Sequence, residues 1–169
     1  MSQDSSTPAP RGHDHEHRAP AEQQHSLPAK PSRALGPAPD QTTIPVIRTI
    51  AMPHDTNPSG DIFGGWLMSQ MDLGASTIAT RRARGRTVTV AAEAMSFLSP
   101  VYVGDEVTIY GRIVSTGRSS IRVFVEAWRR SRASDEVNKV TEATFTFVSI
   151  DADRRPQPLP PLDEMTEQQ

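Results

Sequence analysis

Apolar residues recur along the middle of this chain with two different periods, and the switches between them mark out its elements. Thr43 to Met52 is rich in β-branched residues, with Ile44, Val46, Ile47 and Ile50, and predicts a strand. Pro45 falls near its start, where a missing N–H is tolerated. Pro53 to Ser59 is rich in turn formers and predicts a loop. From about Phe63 to Arg82, Leu67, Met71, Ala75 and Ile78 recur at the spacing of one helix face. Trp66, Met68 and Ala79 widen that face. Gly74 sits mid-helix at a cost of about 1 kcal/mol relative to alanine, which close approach of another backbone would offset. Arg81, Arg82 and Arg84 fall at the helix end, where cations suit the dipole, and Gly85 can terminate it.

After the helix the period becomes that of strands. Thr87 to Phe97 is rich in Val, Thr and Ala, and Pro100 to Asp105 makes a turn. Glu106 to Thr116 predicts a second strand, and Gly117 turns the chain. Ser119 to Arg130 alternates, with Ile121, Val123, Val125 and Ala127 on one face and Arg122, Phe124, Glu126 and Trp128 on the other. Arg129 to Glu136 predicts a polar loop. Val137 to Ile150 is the last strand, with Ala143, Phe145 and Phe147 on one face. One strand, one helix and four meandering strands favour an α+β fold, a long helix wrapped by a curved antiparallel five-stranded sheet. The opposite sheet face then needs cover, and Phe124 and Trp128 predict burial against another subunit.

The flanks differ from this core. Residues 1 to 42 hold seven of the fifteen prolines, four of the five histidines and almost no bulky apolar residue. Such a segment cannot bury enough surface to offset its ordering entropy, so a disordered tail is expected. Its His13, His15 and His17 alternate with acids, as a metal-binding tract or a solvated polar tail would. Residues 43–155 form the expected domain, and 156–169 an extended, Pro-rich C-terminal tail. The 169 residues allow one domain of ordinary size. A net charge of −2 gives no field favouring nucleic acid or a membrane surface. The absence of cysteine removes disulfides, thiolate metal sites and a cysteine nucleophile, and fits a cytoplasmic protein. No apolar run approaches a membrane span, and no secretory h-region is present.

The segment Met52 to Asp72 concentrates the candidate chemistry. Turn formers lead to Asp61, and the Gly64–Gly65 pair opens the predicted helix. A helix start presents unpaired N–H groups and partial positive charge, which would stabilise a carbonyl oxygen gaining negative charge. Asp61 is either a base or nucleophile acting there or a helix cap. Asn57 can orient substrate through its amide or shape the turn. His54 lacks an evident orienting acid. Ser69 lines a site or packs in the helix. Glu93 is a second carboxylate or a structural anchor, and Asp72 a helix-surface acid. Arg118, Ser119 and Ser120 form a turn suited to an anion or simply an exposed β-turn. Arg84 and Arg86 are weaker candidates for the same task. No phosphate-binding loop or metal cluster is evident outside the tail.

Several motifs agree in order with one family. Asn57-Pro-Ser-Gly-Asp-Ile-Phe-Gly-Gly-Trp-Leu-Met-Ser-Gln-Met-Asp72 resembles the motif of YciA-type acyl-CoA thioesterases, which have the hotdog fold. So do Val88-Thr-Val, Glu93-Ala-Met-Ser-Phe-Leu-Ser-Pro-Val101, Val103-Gly-Asp105, Glu142-Ala143 and Pro158-Leu-Pro160. The resemblance covers about residues 44 to 161. It implies hydrolysis of acyl-CoA thioesters without a cofactor, and a hotdog homodimer assembled further into a hexamer, a trimer of dimers. It implies active sites between protomers, with Asp61 as catalytic acid, Asn57 as the motif asparagine, and Gly64 and Gly65 where N–H groups receive the thioester oxygen. Ser99 departs from the usual basic residue, and Gly117-Arg-Ser-Ser120 from the usual Gly-Thr-Thr-Ser. Both lie in loops expected near the CoA moiety. A hotdog dehydratase would need a histidine near the helix start, and an acyl-CoA sensor an added DNA-binding helix pair.

Overall fold

The computed structural model describes Pro39 and residues 43–162. The His-rich tract and most of the predicted N-terminal tail lie outside the described residues. The elements run β1 (Ile47–Ile50), a 3-10 turn (Pro53–Asp55), α1 (Gly64–Ala83), β2 (Thr87–Ala92), β3 (Glu106–Thr116), β4 (Ser120–Arg130) and β5 (Val137–Ser149). The sheet order is β1-β3-β4-β5-β2, with every neighbouring pair antiparallel. β1 and β2 therefore lie at opposite edges, and α1, which joins them in sequence, packs on the face between. This is the predicted helix wrapped by a five-stranded sheet, the hotdog arrangement.

The two periods meet in the core. Leu67, Met71, Ala75 and Ala79 of α1 are buried against Val107, Ile109, Ile121, Val123, Val125, Ala127 and Phe147. Each large side chain so buried contributes roughly 1.5–3 kcal/mol. The expected backbone contact at Gly74 is instead made by side chains, since a Cβ there would lie 3.2 Å from Ile109 Cγ2. On the sheet side, Gly111 gives room to Ile78, whose Cδ1 would be 2.6 Å from an added Cβ.

Several boundaries differ from the sequence pattern. β1 starts at Ile47 rather than Thr43, although Val46 N–H still donates to the Ile109 carbonyl at 2.8 Å. β2 stops at Ala92 rather than Phe97, after a register shift between Thr89 and Ala91. The following stretch stays beside β5 through the N–H groups of Glu93 and Leu98, which donate to Thr144 and Val140. A second shift, between Ala127 and Trp128 on the neighbouring pair, breaks regular pairing there. Arg84, not Gly85, takes the left-handed conformation at the helix end, at φ 48°.

The expected burial of Trp128 by another subunit is corrected. Trp128 is only 5% exposed within one protomer, with Lys139 Nζ lying 5.6 Å from the centre of its ring. Phe124 is half-buried, with the Arg112 guanidinium 4.9 Å from its ring centre. The C-terminal segment, expected as a tail, is pinned across the sheet end. Gln157 N–H donates to Ser149 at 2.9 Å, Leu159 N–H to Arg118 at 2.8 Å, and Arg82 Nη1 to Pro160 at 2.9 Å.

Candidate active site

The loop before α1 is built around Asn57. Its side-chain oxygen accepts from the N–H groups of Ser59 at 2.9 Å and Asp61 at 3.1 Å. Its own N–H donates to the Asp61 carbonyl at 2.7 Å, and Gly60 N–H donates to the Asn57 carbonyl at 2.9 Å. Asn57-Pro-Ser-Gly60 is thus a β-turn with proline at its second position. Gly60 has φ 87°, which only glycine adopts at little cost. Below the turn, Thr56 and Ile62 form an antiparallel bridge, and Phe63 N–H donates to the Asp55 carbonyl at 2.9 Å. The Asp55 carboxylate accepts from Met52 N–H at 2.8 Å and lies 3.2 Å from His54 Nε2. Of the two readings of Asn57, turn shaping is the one its oxygen performs. His54 pairs with Asp55 and not with Asp61.

This frame leaves Asp61 exposed, with no hydrogen-bond or ionic partner for its carboxylate among the described residues. The helix N-cap is Phe63, without a side-chain cap, so Asp61 does not cap the helix. Gly64 and Gly65 are the first two helical residues, and their N–H groups point out of the helix start. The N–H groups of Trp66 and Leu67 already bond the Phe63 carbonyl. An added Cβ at Gly64 would lie 3.4 Å from the Phe97 ring, and one at Gly65 would run into the Phe63 ring. A bare carboxylate, two open N–H groups and two exposed aromatic rings therefore meet at the start of α1.

Other candidates are placed elsewhere or are already engaged. Ser69 is exposed, and its hydroxyl donates to the Trp66 carbonyl at 2.7 Å rather than packing in the core. Glu93 forms an ion pair with Arg122 on the sheet. Asp72 accepts from the Thr89 hydroxyl at 2.8 Å, tying α1 to β2. Ser99 donates to the Lys139 carbonyl at 2.9 Å, two residues beyond the ring that touches Gly64. Arg118 and Ser119 occupy the β3–β4 turn, closed by a Gly117 N–H to Ser120 carbonyl bond of 2.8 Å. That turn lies by Ser149, at the end of β5 and beside the C-terminus of α1. A 20-residue helix is about 30 Å long. Asp61, Asn57, Gly64 and Gly65 thus gather at one end of a protomer. Arg118, Ser119 and Ser120 gather at the other, with Arg84 and Arg86. Ser99 belongs to the Asp61 end, so the two departures from the family pattern do not share one location within a protomer.

One set was not singled out from the sequence. Phe63, Met68, Leu73, Val88, Val90, Phe97 and Leu98 are all exposed. They lie along the helix flank and the β2 edge, which the Asp72–Thr89 bond holds together. Exposed apolar area on this scale marks an interface or a ligand groove. The available signal was the position of Met68 and Leu73 beside the Leu67–Met71–Ala75 stripe; the pattern assigned Met68 to the core face instead. Among the described residues no cluster of three metal-ligating side chains is present, and no helix is long and apolar enough to cross a membrane.

Comparison with known proteins agrees with this fold. The thioesterase superfamily model matches residues 59–135. The chain is 52% identical over 118 residues to the acyl-CoA thioester hydrolase YciA of Salmonella typhimurium, covering 68% of this chain and 89% of the relative. A solved hexameric broad-specificity acyl-coenzyme A thioesterase superposes with a TM-score of 0.70 at 46% identity, over 75% of this chain and 87% of that one. A hexameric hotdog-fold thioesterase of Campylobacter jejuni gives a TM-score of 0.65 at 37% identity, over 69% of this chain and 90% of that one. The chain belongs to the YciA-type acyl-CoA thioester hydrolases of the thioesterase superfamily and has their hotdog fold.

Proposed function

We propose that this chain hydrolyses acyl-CoA thioesters to free CoA and a carboxylic acid, with Asp61 carrying the chemistry. The observation that supports this most is the Asp61 carboxylate, unpartnered among the described residues and held beside the open N-terminus of α1. The thioester carbonyl oxygen takes the N–H groups of Gly64 and Gly65, where the helix dipole favours developing negative charge. Asp61 either removes a proton from water attacking the carbonyl carbon or attacks that carbon itself, giving an anhydride that water then opens. In both routes the C–S bond breaks, the sulfur leaves with the electron pair, and CoA departs as the thiol after taking a proton. Carboxylate, water and backbone donors suffice, so no cofactor is required.

The site is completed by a second protomer. Arg118 and Asp61 lie too far apart in one chain to hold one substrate, and the apolar β2 edge is open. Two protomers joined along β2 in antiparallel fashion bring the Arg118 turn of one toward the Asp61 loop of the other. In this reading Arg118 meets CoA phosphate through its guanidinium, and Phe63 and Phe97 line the acyl path. Three such dimers form the hexamer, the state named for the solved relatives. The cytoplasm is the proposed compartment, since acyl-CoA esters are used there and the chain has no cysteine to oxidise.

The test is release of free CoA thiol from a panel of acyl-CoA esters, followed with a thiol reagent. Steady turnover is expected. Saturable acyl-CoA binding without thiol release would make the protein a sensor, and loss of water from a hydroxyacyl-CoA without thiol release a dehydratase.

A further inference from the structure

Arg82 and the C-terminal segment are used by none of the chemistry above, yet Arg82 is the only residue in the last turn of α1 whose charge is buried. It is 7% exposed, whereas its neighbour Arg81 is exposed. No carboxylate among the described residues pairs with it. Its Nη1 donates to the Pro160 carbonyl, and its Nε is buried without a partner. Burying a guanidinium on so few hydrogen bonds is costly, although the helix C-terminus offsets part of the cost. A solvent-facing arginine here would serve the helix dipole without that penalty. What burial adds is a grip on the strap formed by Gln157 to Pro160.

The strap in turn holds the β3–β4 turn. Leu159, one residue before the carbonyl gripped by Arg82, gives its N–H to the Arg118 carbonyl at 2.8 Å and packs its side chain on the core. Gln157 fastens the preceding stretch, with N–H to the Ser149 carbonyl at 2.9 Å and Nε2 to the Ile150 carbonyl at 3.0 Å. Pro158, Pro160 and Pro161 restrict the strap to extended conformations, so little entropy is lost on docking it. Apart from the strap, the turn is held by its hairpin bond and by Ser149 N–H donating to the Ser119 carbonyl. The Arg118 carbonyl itself is fixed by Leu159.

We infer that Arg82 is a positioning residue for Arg118, acting through the Leu159–Pro160 strap to set where the guanidinium meets the nucleotide end of the substrate. The inference rests on the proposed role of Arg118 in CoA recognition and deepens it. It separates recognition of the nucleotide from the thioester chemistry, because within one protomer no hydrogen bond of the strap reaches the Asp61 loop.

The test compares two substrates with the same acyl group, the CoA ester and the pantetheine ester, which lacks the nucleotide. The readout is the ratio of their kcat/KM values in the full-length oligomer, measured for the parent, Arg82→Met, Arg82→Lys, Leu159→Pro and Arg118→Ala. Arg82→Met removes the grip on Pro160, and Leu159→Pro removes the N–H that holds Arg118. Each is expected to lower the ratio about fivefold, chiefly through KM for the CoA ester, as loss of one hydrogen bond in a binding contact does. Arg82→Lys keeps a cationic donor and is expected to restore the ratio to within about twofold. Should Arg82→Met fail to fold, Leu159→Pro reads the same ratio independently. A ratio that falls in Arg118→Ala but stays at the parent value in Leu159→Pro and every folded Arg82 variant overturns the inference and leaves the role of Arg118 intact. A ratio unmoved in Arg118→Ala overturns that role and the inference with it.

Discussion

At the scale of single residues, the site depends on one side chain being free and another being fully used. Asp61 is free: it caps nothing and pairs with nothing among the described residues. Asn57 spends its side-chain oxygen on two backbone N–H groups, one of them that of Asp61 itself. Asn57→Ala should therefore cost turnover by displacing Asp61, with kcat falling about tenfold, in the range that small misplacements of reacting groups produce. Asn57→Asp keeps the acceptor and should retain kcat within about threefold. Equal losses in the two variants would instead assign the Asn57 amide to substrate. Lys139 shows the opposite economy. It is buried on the sheet beside Trp128 and bonded to Glu126 and Glu142, the latter at 2.5 Å. Burial pulls its pKa down, but the two carboxylates outweigh this and hold it above the ordinary 10.5. A raised lysine pKa adds stability that is complete below the unfolded value and is lost as pH climbs through the folded one. Chemical denaturation of the parent should thus show this contribution fading only above about pH 10.5. Lys139→Met, which leaves two facing carboxylates, should cost about 2 kcal/mol at neutral pH. Stability equal to that of the parent would show the cluster to be neutral.

At the scale of elements, periodicity located α1, β4 and β5 because one face of each is buried against one core, while β1 and β2, which carry no fully buried side chain, were legible from their β-branched composition. Ile121, Val123, Val125 and Ala127 all face inward as their alternation predicts. Boundaries were less legible where local chemistry and long-range pairing disagree. The run from Glu93 to Phe97 reads as strand, but regular pairing with β5 ends at Ala92, and beyond it the N–H groups of Glu93 and Leu98 reach β5 singly. Gly85 looks like the helix terminator, yet Arg84 adopts the left-handed turn one residue earlier. The Asp61 loop was legible as turn chemistry, and Asp61 as a cap or a catalyst. The structure removes the cap, since the N-cap position falls on Phe63, and the catalytic role stays a proposal. Gly60 tests how tightly this loop is specified. Its φ is 87°, and an added Cβ would meet nothing within 4 Å. Gly60→Ala should therefore cost about 1 kcal/mol from backbone strain alone, without a steric clash. If kcat falls more than stability, the loop conformation matters to the chemistry; unchanged melting and turnover would show that the turn tolerates other geometries.

At the scale of the whole molecule, one protomer leaves two things unfinished. Its apolar flank of Leu73, Val88, Val90, Phe97 and Leu98 is exposed, and its candidate anion turn lies a helix length from its candidate catalyst. The proposed pairing along β2 would answer both. The sequence pattern pointed to an interface on Phe124 and Trp128, but Trp128 is already buried within the protomer, because alternation shows which residues share a face and not what covers it. Lys139 and Arg112 provide part of that cover within the protomer. Val90→Lys puts a charge on the unpaired edge, a known way to block edge pairing. By light scattering it should shift the oligomer toward monomer and abolish acyl-CoA hydrolysis together; an active monomer would place the whole site within one chain. The account as a whole turns on Asp61, and Asp61→Asn tests it most directly. The substitution keeps the shape of the side chain and removes its charge, and there is no cap to disturb. The melting temperature should match the parent, while kcat for thiol release from acyl-CoA falls by about 10²-fold or more. A variant that melts like the parent and keeps most of its turnover would contradict the assignment and leave the open carboxylate at the start of α1 without a part in the reaction.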